Sequence, residues 1–281
     1  MQKNQNKNLT PGSHHLHERY RQHHLWQQSI PKRVAFWIIT IFLLAITVSL
    51  VSTEFHSILP PSVATVFQRI TLLQLVSYGL YTFIRLISAY ILGLIATFIV
   101  LFAVSIHEKI EALIMPVLDI LQSVPVLAFF PLIIVAFANL HLPELSAQIV
   151  LFVAMAWSVM FGALGGFHQI PEDIFEAAKM YDAKGLKKFT KVIFPAIFPN
   201  LVTGSILSFG AGWNVIIISE YINYGNIQIR LPGLGFLLSS SAGRDTGVFI
   251  VALLMLILII TIVNRLVWHK LLAYSERFKF E

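Results

Sequence analysis

Apolar residues along this chain come in long unbroken runs, neither alternating with polar residues nor confined to one helical stripe. Six runs stand out: Val34–Ser52, Tyr78–Ser105, Ala112–Phe137, Leu145–Gly165, Phe198–Ser219 and Gly247–Val267. A helix needs about 20 mostly apolar residues to cross the hydrocarbon core of a bilayer. The pattern therefore predicts an all-α polytopic membrane protein with six transmembrane helices. Inside a bilayer the backbone must satisfy its own polar groups, which leaves helices or closed barrels. The absence of period-two alternation argues against a barrel. Pro116, Pro125 and Pro131 all fall in the third run and predict kinks there. Polar residues 1–33 precede the first run, which has no small-residue cleavage site after it and reads as a permanent helix. The expected organisation is a His-rich polar tail at 1–33, a transmembrane domain at 34–268 and a short tail at 269–281.

Composition agrees with that class: 57% of the 281 residues are hydrophobic and 12% are charged. Soluble domains are about one quarter charged. Mean hydropathy is +0.76. With no cysteine, disulfide frameworks, Cys-ligated zinc, iron–sulfur clusters and thiol nucleophiles are excluded. The formal charge of +6 reads first as a topology signal. Fifteen Lys and Arg lie in the amino-terminal segment, around Lys109, in the 166–197 loop and in the carboxy-terminal tail; only Arg69, Arg230 and Arg244 lie in loops on the other side. The excess of Lys and Arg marks the cytoplasmic face, so both termini are expected there. No nucleic-acid partner is expected.

The longest cytoplasmic loop, about 166–197, carries its own structure. Pro171 suits a first helical turn, and Glu172, Asp173 and Glu176 favour the positive end of a helix. Gly185 permits the left-handed conformation that ends one. A short helix is predicted over Pro171–Asp182 and a second from about Leu186. Ile174, Ala177, Ala178 and Tyr181 fall on one face at i, i+3, i+4, i+7. Such a helix can lie on lipid or dock into a partner's groove, and its acidic start favours the partner.

Glu176-Ala177-Ala178 followed by Val192-Ile193-Phe194-Pro195 resembles the EAA motif of permease subunits in binding-protein-dependent ABC importers. Asp182 stands where the family glycine belongs, Val192 for Ile and Phe194 for Leu, while Pro195 matches. Asp tolerates the left-handed conformation better than most residues. Leu121-Gln122-Ser123-Val124-Pro125, Ala128-Phe129-Phe130-Pro131, Ile170-Pro171-Glu172-Asp173, Thr203-Gly204-Ser205, Gly210-Ala211-Gly212-Trp213-Asn214 and Leu231-Pro232-Gly233-Leu234-Gly235 resemble the nitrate/sulfonate/taurine branch. The resemblance implies a permease pathway formed by two copies or by this chain and a paralogue. It implies docking of Pro171, Glu172, Asp173, Glu176, Ala177, Ala178, Tyr181, Asp182 and Gly185 on a cytoplasmic ABC ATPase dimer. It also implies an extracytoplasmic solute-binding protein, a small-anion substrate and the plasma (inner) membrane of a prokaryote. The chain has no G-x-x-x-x-G-K-[ST] phosphate loop, so ATP hydrolysis is expected from a separate polypeptide. No cofactor is expected. The alternative class is an ATP-independent secondary transporter or channel, which predicts inverted repeats and midplane ionisable relays; neither is visible.

Polar groups in spans are costly and face a cavity or another helix. The pathway candidates are Arg85, Asp119, Gln122, Ser123 and Asn214, with Glu220 just past the fifth span. Arg85 needs a partner or a route to the headgroups; Asp119 lies too far toward the inner end to supply one. Trp157 and Trp213 read as packing residues, and Gly79, Gly93, Gly204 and Gly210 as positions of close helix approach. His14, His15, His17, His23 and His24 can bind metal or form a solvated tail near anionic lipid; no second-shell pattern supports a metal.

Overall fold

The computed structural model describes residues 66–278 apart from 68, 107, 139, 141, 225 and 226. The chain divides into two compact units at Leu59–Pro60, and the described residues belong to the second. The expected helix Val34–Ser52 and the histidine tract lie outside the described residues.

Helix α1 is Leu72–Ile106, and a bent pair follows: α2, Glu108–Ser123, and α3, Val126–Ala138. Then come α4, Pro143–His168, and the short α5, Glu172–Met180. Helix α6 runs from Gly185 to Glu220, with a π-turn at Phe189–Ile193. Strands β1, Tyr221–Tyr224, and β2, Ile227–Arg230, precede α7, Leu234–Ser241. Helix α8, Thr246–Phe278, follows. Among the described residues four helices are long and apolar enough to span a membrane, and the bent pair makes up to five.

The third expected span is two legs at 87°, not one kinked rod. Of its three prolines only Pro125 sits at the break; Pro116 and Pro131 lie within α2 and α3. Proline disfavours helical backbone in the residue before it, which here is Val124. The π-turn and the 36-residue length of α6 also differ from expectation: the fifth span and the helix expected from Leu186 are one continuous element. Two further helix ends outrun the apolar runs, α4 reaching His168 and α8 reaching Phe278. Helix propagation requires no apolar side chain, so hydropathy marks the membrane portion only.

An all-α fold is corrected by the antiparallel hairpin β1–β2, which lies between α6 and α7. Ile222 pairs with Ile229, and both turn inward onto Ile134 of α3 and Ala147 of α4. The alternation is too short to stand out beside the long apolar runs, although Gly225-Asn226 between two β-branched segments is a hairpin signal.

Helix α4 is the centre of the bundle, packed most extensively on α6 and next on α1. Small residues set the α4–α6 crossing. A Cβ on Gly162 would lie 2.8 Å from Asn200 O and from Gly204 Cα, and one on Gly204 would lie 2.8 Å from Ser158 O. Close backbone approach of this kind is how helices associate without a hydrophobic driving force. Gly204 therefore serves packing, as does Gly162, while Gly210 has nothing within 4 Å of its ideal Cβ position. The outer side of α1 presents Leu73, Leu80, Ile84, Ile95 and Ile99, an apolar surface suited to hydrocarbon.

Candidate functional site

The two ends of the bundle carry different chemistry. At one end α5 joins α4 to α6 in the chain and packs on their core cluster. Pro171 precedes it in extended conformation (φ −60°, ψ 145°), and Glu172 and Asp173 occupy its first turn. Ala178 is buried, and Ile174 and Phe175 pack partly against the core cluster that holds Ile170, Phe189 and Ile193. Phe175 meets Phe167 edge-on, with ring centroids 6.0 Å apart, and carries the Lys188 ammonium 4.6 Å above its ring. Pro171, Glu172, Asp173, Glu176, Ala177 and Tyr181 are exposed. The expected stripe Ile174–Ala177–Ala178–Tyr181 does not bury as a unit: with Lys187, Lys191 and Arg277 it lines a groove of about 710 Å³. Anchorage comes from Ile174 and Ala178 of that stripe together with Phe175, which the stripe omitted.

The turn after α5 uses two left-handed residues. Asp182 and Gly185 both have φ of +50°. Asp182 N donates to Lys179 O at 3.0 Å and Ala183 N to Ala178 O at 2.9 Å, which closes the last turn of α5. Asp182 thus adopts the conformation a glycine would take at its position, and Gly185 supplies a second one at the start of α6. The Asp182 carboxylate also pairs with Lys184 on the surface at 2.5 Å.

At the other end Arg85 is the buried centre of a charge cluster that joins the exposed Glu144 to the buried Glu220. Its Nε and Nη2 donate to the two oxygens of Glu144 at 2.7 and 2.8 Å. Its Nη1 donates to Glu220 Oε1 at 2.7 Å and to Pro232 O at 3.0 Å. Glu220 is fully buried and also accepts from Thr82 Oγ1 and from Gly235 N, both at 2.7 Å. Thr82 Oγ1 in turn accepts from Leu234 N at 2.8 Å. The string Leu231–Gly235 therefore wraps the Glu220 carboxylate. Gly233 and Gly235 are required by that wrap: a Cβ on Gly233 would overlap the Glu220 carboxylate, and one on Gly235 would lie 2.7 Å from Ile216 O. Buried charges persist in low dielectric only when paired and hydrogen-bonded, and these are.

Among the sequence candidates, then, Arg85 and Glu220 come together. Glu144 and Thr82 were missed, and Gly233 and Gly235 were noted only as part of the family-like string, without this role. The available signal was that Arg85 lacked a partner while Glu144 and Glu220 stood at adjoining span ends. Arg85 is buried against these carboxylates and does not reach toward headgroups. Asp119, Gln122, Ser123 and Asn214 are exposed and belong to neither cluster, and Ser123 Oγ donates to Asp119 O at 2.7 Å. Trp157 and Trp213 sit in hydrophobic clusters. Among the described residues no group of three or more His, Cys, Asp or Glu could hold a metal.

Residues 89–269 match the family described as binding-protein-dependent transport system inner membrane component. The chain belongs to that family. It is accordingly a multi-pass inner membrane component, and α5, the α4–α6 crossing and Glu220 all fall within the matched segment, whereas Thr82 and Arg85 precede it. The bicarbonate transport system permease protein CmpB of Synechococcus elongatus is 28% identical over 133 residues, 47% of this chain and 45% of that relative. The nitrate import permease protein NrtB of Leptolyngbya laminosa is 28% identical over 154 residues, 54% and 52% of the two chains. The taurine transport system permease protein TauC of Escherichia coli is 25% identical over 139 residues, 50% and 47%. The matched stretch spans about half the length of these curated relatives.

Proposed function

We propose that this chain is the permease subunit of an ATP-driven importer of small anions in a prokaryotic plasma membrane. Its six spans leave both termini and α5 in the cytoplasm. Two such subunits enclose the pathway, an ATPase dimer binds beneath them, and a solute-binding protein delivers solute at the hairpin end. The observation that carries this reading is α5. It is held to the bundle by Phe175 and Ala178 yet presents Glu172, Asp173, Glu176 and Tyr181 outward, as a docking helix must. Glu176 directs charge to a basic group on the ATPase, and the Asp182–Gly185 turn fixes the angle between α5 and α6.

The anionic substrate is supported by relatives named for bicarbonate, nitrate and taurine. Arg85 is not what recognises it, because four of its hydrogen bonds go to Glu144, Glu220 and Pro232. Gln122, Ser123 and Asn214, with Asp119 nearer the α5 end, are exposed polar groups on apolar helices and line the path once a second permease covers them.

The test is gentle detergent extraction of the native complex with identification of what co-purifies, with and without Glu176→Lys. A phosphate-loop ATPase should be recovered from wild type and weakened by the charge reversal. Recovery of this chain alone, unchanged by the substitution, would reject the importer subunit in favour of an ATP-independent transporter. Uptake restricted to neutral or cationic solutes would reject the anion.

A further inference from the structure

Behind the acidic face of α5 lies a groove of the opposite sign. Its floor is apolar, made by Ile174, Ala177 and Ala178 of α5 with Pro195 of α6, and its rim carries Lys187, Lys191 and Arg277. No carboxylate lines it: Glu172 and Glu176 fall on the far side of α5 by helical spacing, and Asp173, one turn before Ala177, flanks the floor without lining it. Of the neighbouring cations, Lys184 pairs with Asp182 and Lys188 lies over Phe175, while the groove's own Arg277 lies 5.5 Å from the Tyr274 ring centroid, a contact that leaves its charge without a carboxylate. Among the described residues, Lys187, Lys191 and Arg277 take part in no salt bridge. The volume, about 710 Å³, is that of a small-molecule site.

The groove also sits at a particular depth. Lys191 is the last charge on α6 before the uncharged run Val192–Ser219. Beside it Phe194, Phe198, Tyr274 and Phe278 form an aromatic cluster, with Phe198 and Tyr274 each 5.4 Å from the Phe278 ring centroid. Aromatic girdles mark the headgroup level of a bilayer, and basic pockets at the ends of spans on the cytoplasmic side hold anionic headgroups. Cations, apolar floor and aromatic border coincide where a phosphodiester meets its glycerol and upper acyl chain.

We propose that this groove binds the headgroup of an anionic phospholipid, its phosphate against Lys187, Lys191 and Arg277 and its glycerol on the apolar floor. The bound lipid joins α5 to the ends of α6 and α8, so it steadies the docking helix from behind. The proposal rests on the cytoplasmic placement of α5 in the importer reading, but not on the ATPase.

The test uses the full chain in phosphatidylcholine nanodiscs, titrated with phosphatidylglycerol and read by native mass spectrometry of retained lipid. Wild type should retain phosphatidylglycerol in preference to phosphatidylcholine. That preference should fall about fivefold for each cation removed, in Lys191→Gln and Arg277→Gln singly and to nothing in the triple variant with Lys187→Gln. Lys184→Gln, outside the groove, should keep it. Size-exclusion profiles identify a misfolded triple variant, in which case the two single variants decide. No preference in wild type, an undiminished preference in folded variants, or displacement of the lipid by sn-glycerol 3-phosphate would each overturn the proposal, the last by assigning the groove to a free phosphate ester. Retained ATPase with no lipid preference defeats this proposal alone; lipid preference without any ATPase defeats the importer reading and leaves this one standing.

Discussion

The two ends of the bundle treat charge in opposite ways. At the hairpin end, Arg85 and Glu220 are buried and every neighbour serves them: Glu144, Thr82, Pro232 and the backbone of Gly235. At the α5 end, Glu172, Asp173 and Glu176 stand exposed, and the three groove cations form no salt bridge among the described residues. A charge cluster that satisfies itself holds its own helices in place. Charges left to solvent on an anchored helix are available to something else. The contrast separates residues that maintain the permease from residues that engage its partners.

The sharpest way to break the hairpin end is to remove one partner of the buried pair. Glu220→Ala leaves Arg85 and Thr82 partly unpaired in low dielectric, with an expected cost of about 3–5 kcal/mol. Gly233→Ala should approach that effect by displacing the same carboxylate. Both should appear as lowered unfolding midpoints in detergent. A Glu220→Ala protein as stable as wild type would mean that the cluster is ornamental. At the α5 end, by contrast, Glu176→Lys should shift stability by no more than about 0.5 kcal/mol, as exposed substitutions do, while still weakening ATPase recovery.

A second test concerns the scaffold between the ends. Gly204→Val forces two branched carbons against Ser158 O and Gly162 Cα, so overpacking of about 1–3 kcal/mol is expected. Gly210→Val, on the same helix but with open space at its Cβ position, should cost far less. Unfolding midpoints of the pair, measured side by side, separate packing from loss of helix flexibility.

These contrasts also explain what could be read from the chain. The long spans were legible because each needs many apolar residues in a row, and the loop helix because its acidic start, Ala pair and Gly185 are local signals. The hairpin escaped because its four-residue strands turn only Ile222, Ile227 and Ile229 onto the core cluster, too short an alternation to stand out. The Arg85 cluster was half legible. Arg85 and Glu220 stood out as costly residues, but nothing local joins positions 135 residues apart. Glu144 was not singled out, because a carboxylate in a first helical turn after a proline is locally ordinary. Kinks in the third run could be expected, but neither the break at Pro125 nor its 87° angle could, because three prolines in one run do not say which will open.

The turn after α5 allows a finer cut. Gly185→Ala places a Cβ at φ +50° and should cost about 1 kcal/mol. Asp182→Gly removes a side chain from the same kind of backbone but frees the unfolded chain, so the two effects oppose and the net should be smaller. If both variants keep their ATPase, the turn is set by hydrogen bonds such as Ala183 N to Ala178 O, and neither residue is needed for the docking angle.

The smallest expected effect returns to the hairpin end, where the same chemistry recurs in water. Arg69 Nη1 donates to Asp245 Oδ2 at 2.6 Å, and Asp245 Oδ1 caps α8 by accepting from Val248 N at 3.2 Å. The Arg69 hydrogen bond, helped by the backbone amides of Val248 and Gly247, holds the Asp245 carboxyl below the usual carboxylate range. A folded-state pKa below the unfolded one means the carboxylate stabilises the fold at neutral pH, and that contribution disappears as pH falls through the depressed folded-state value. The Arg69 side chain is 59% exposed, so solvent screening limits the ion pair to about 0.2–1 kcal/mol. Asp245→Asn should therefore lower the unfolding midpoint slightly at pH 7 and less as the solution is acidified, with added salt shrinking the difference at pH 7. The Arg85–Glu220 pair is shielded from solvent and should show no such salt dependence, so equal salt sensitivity of the two sites would erase the distinction between a buried anchor and a surface pair.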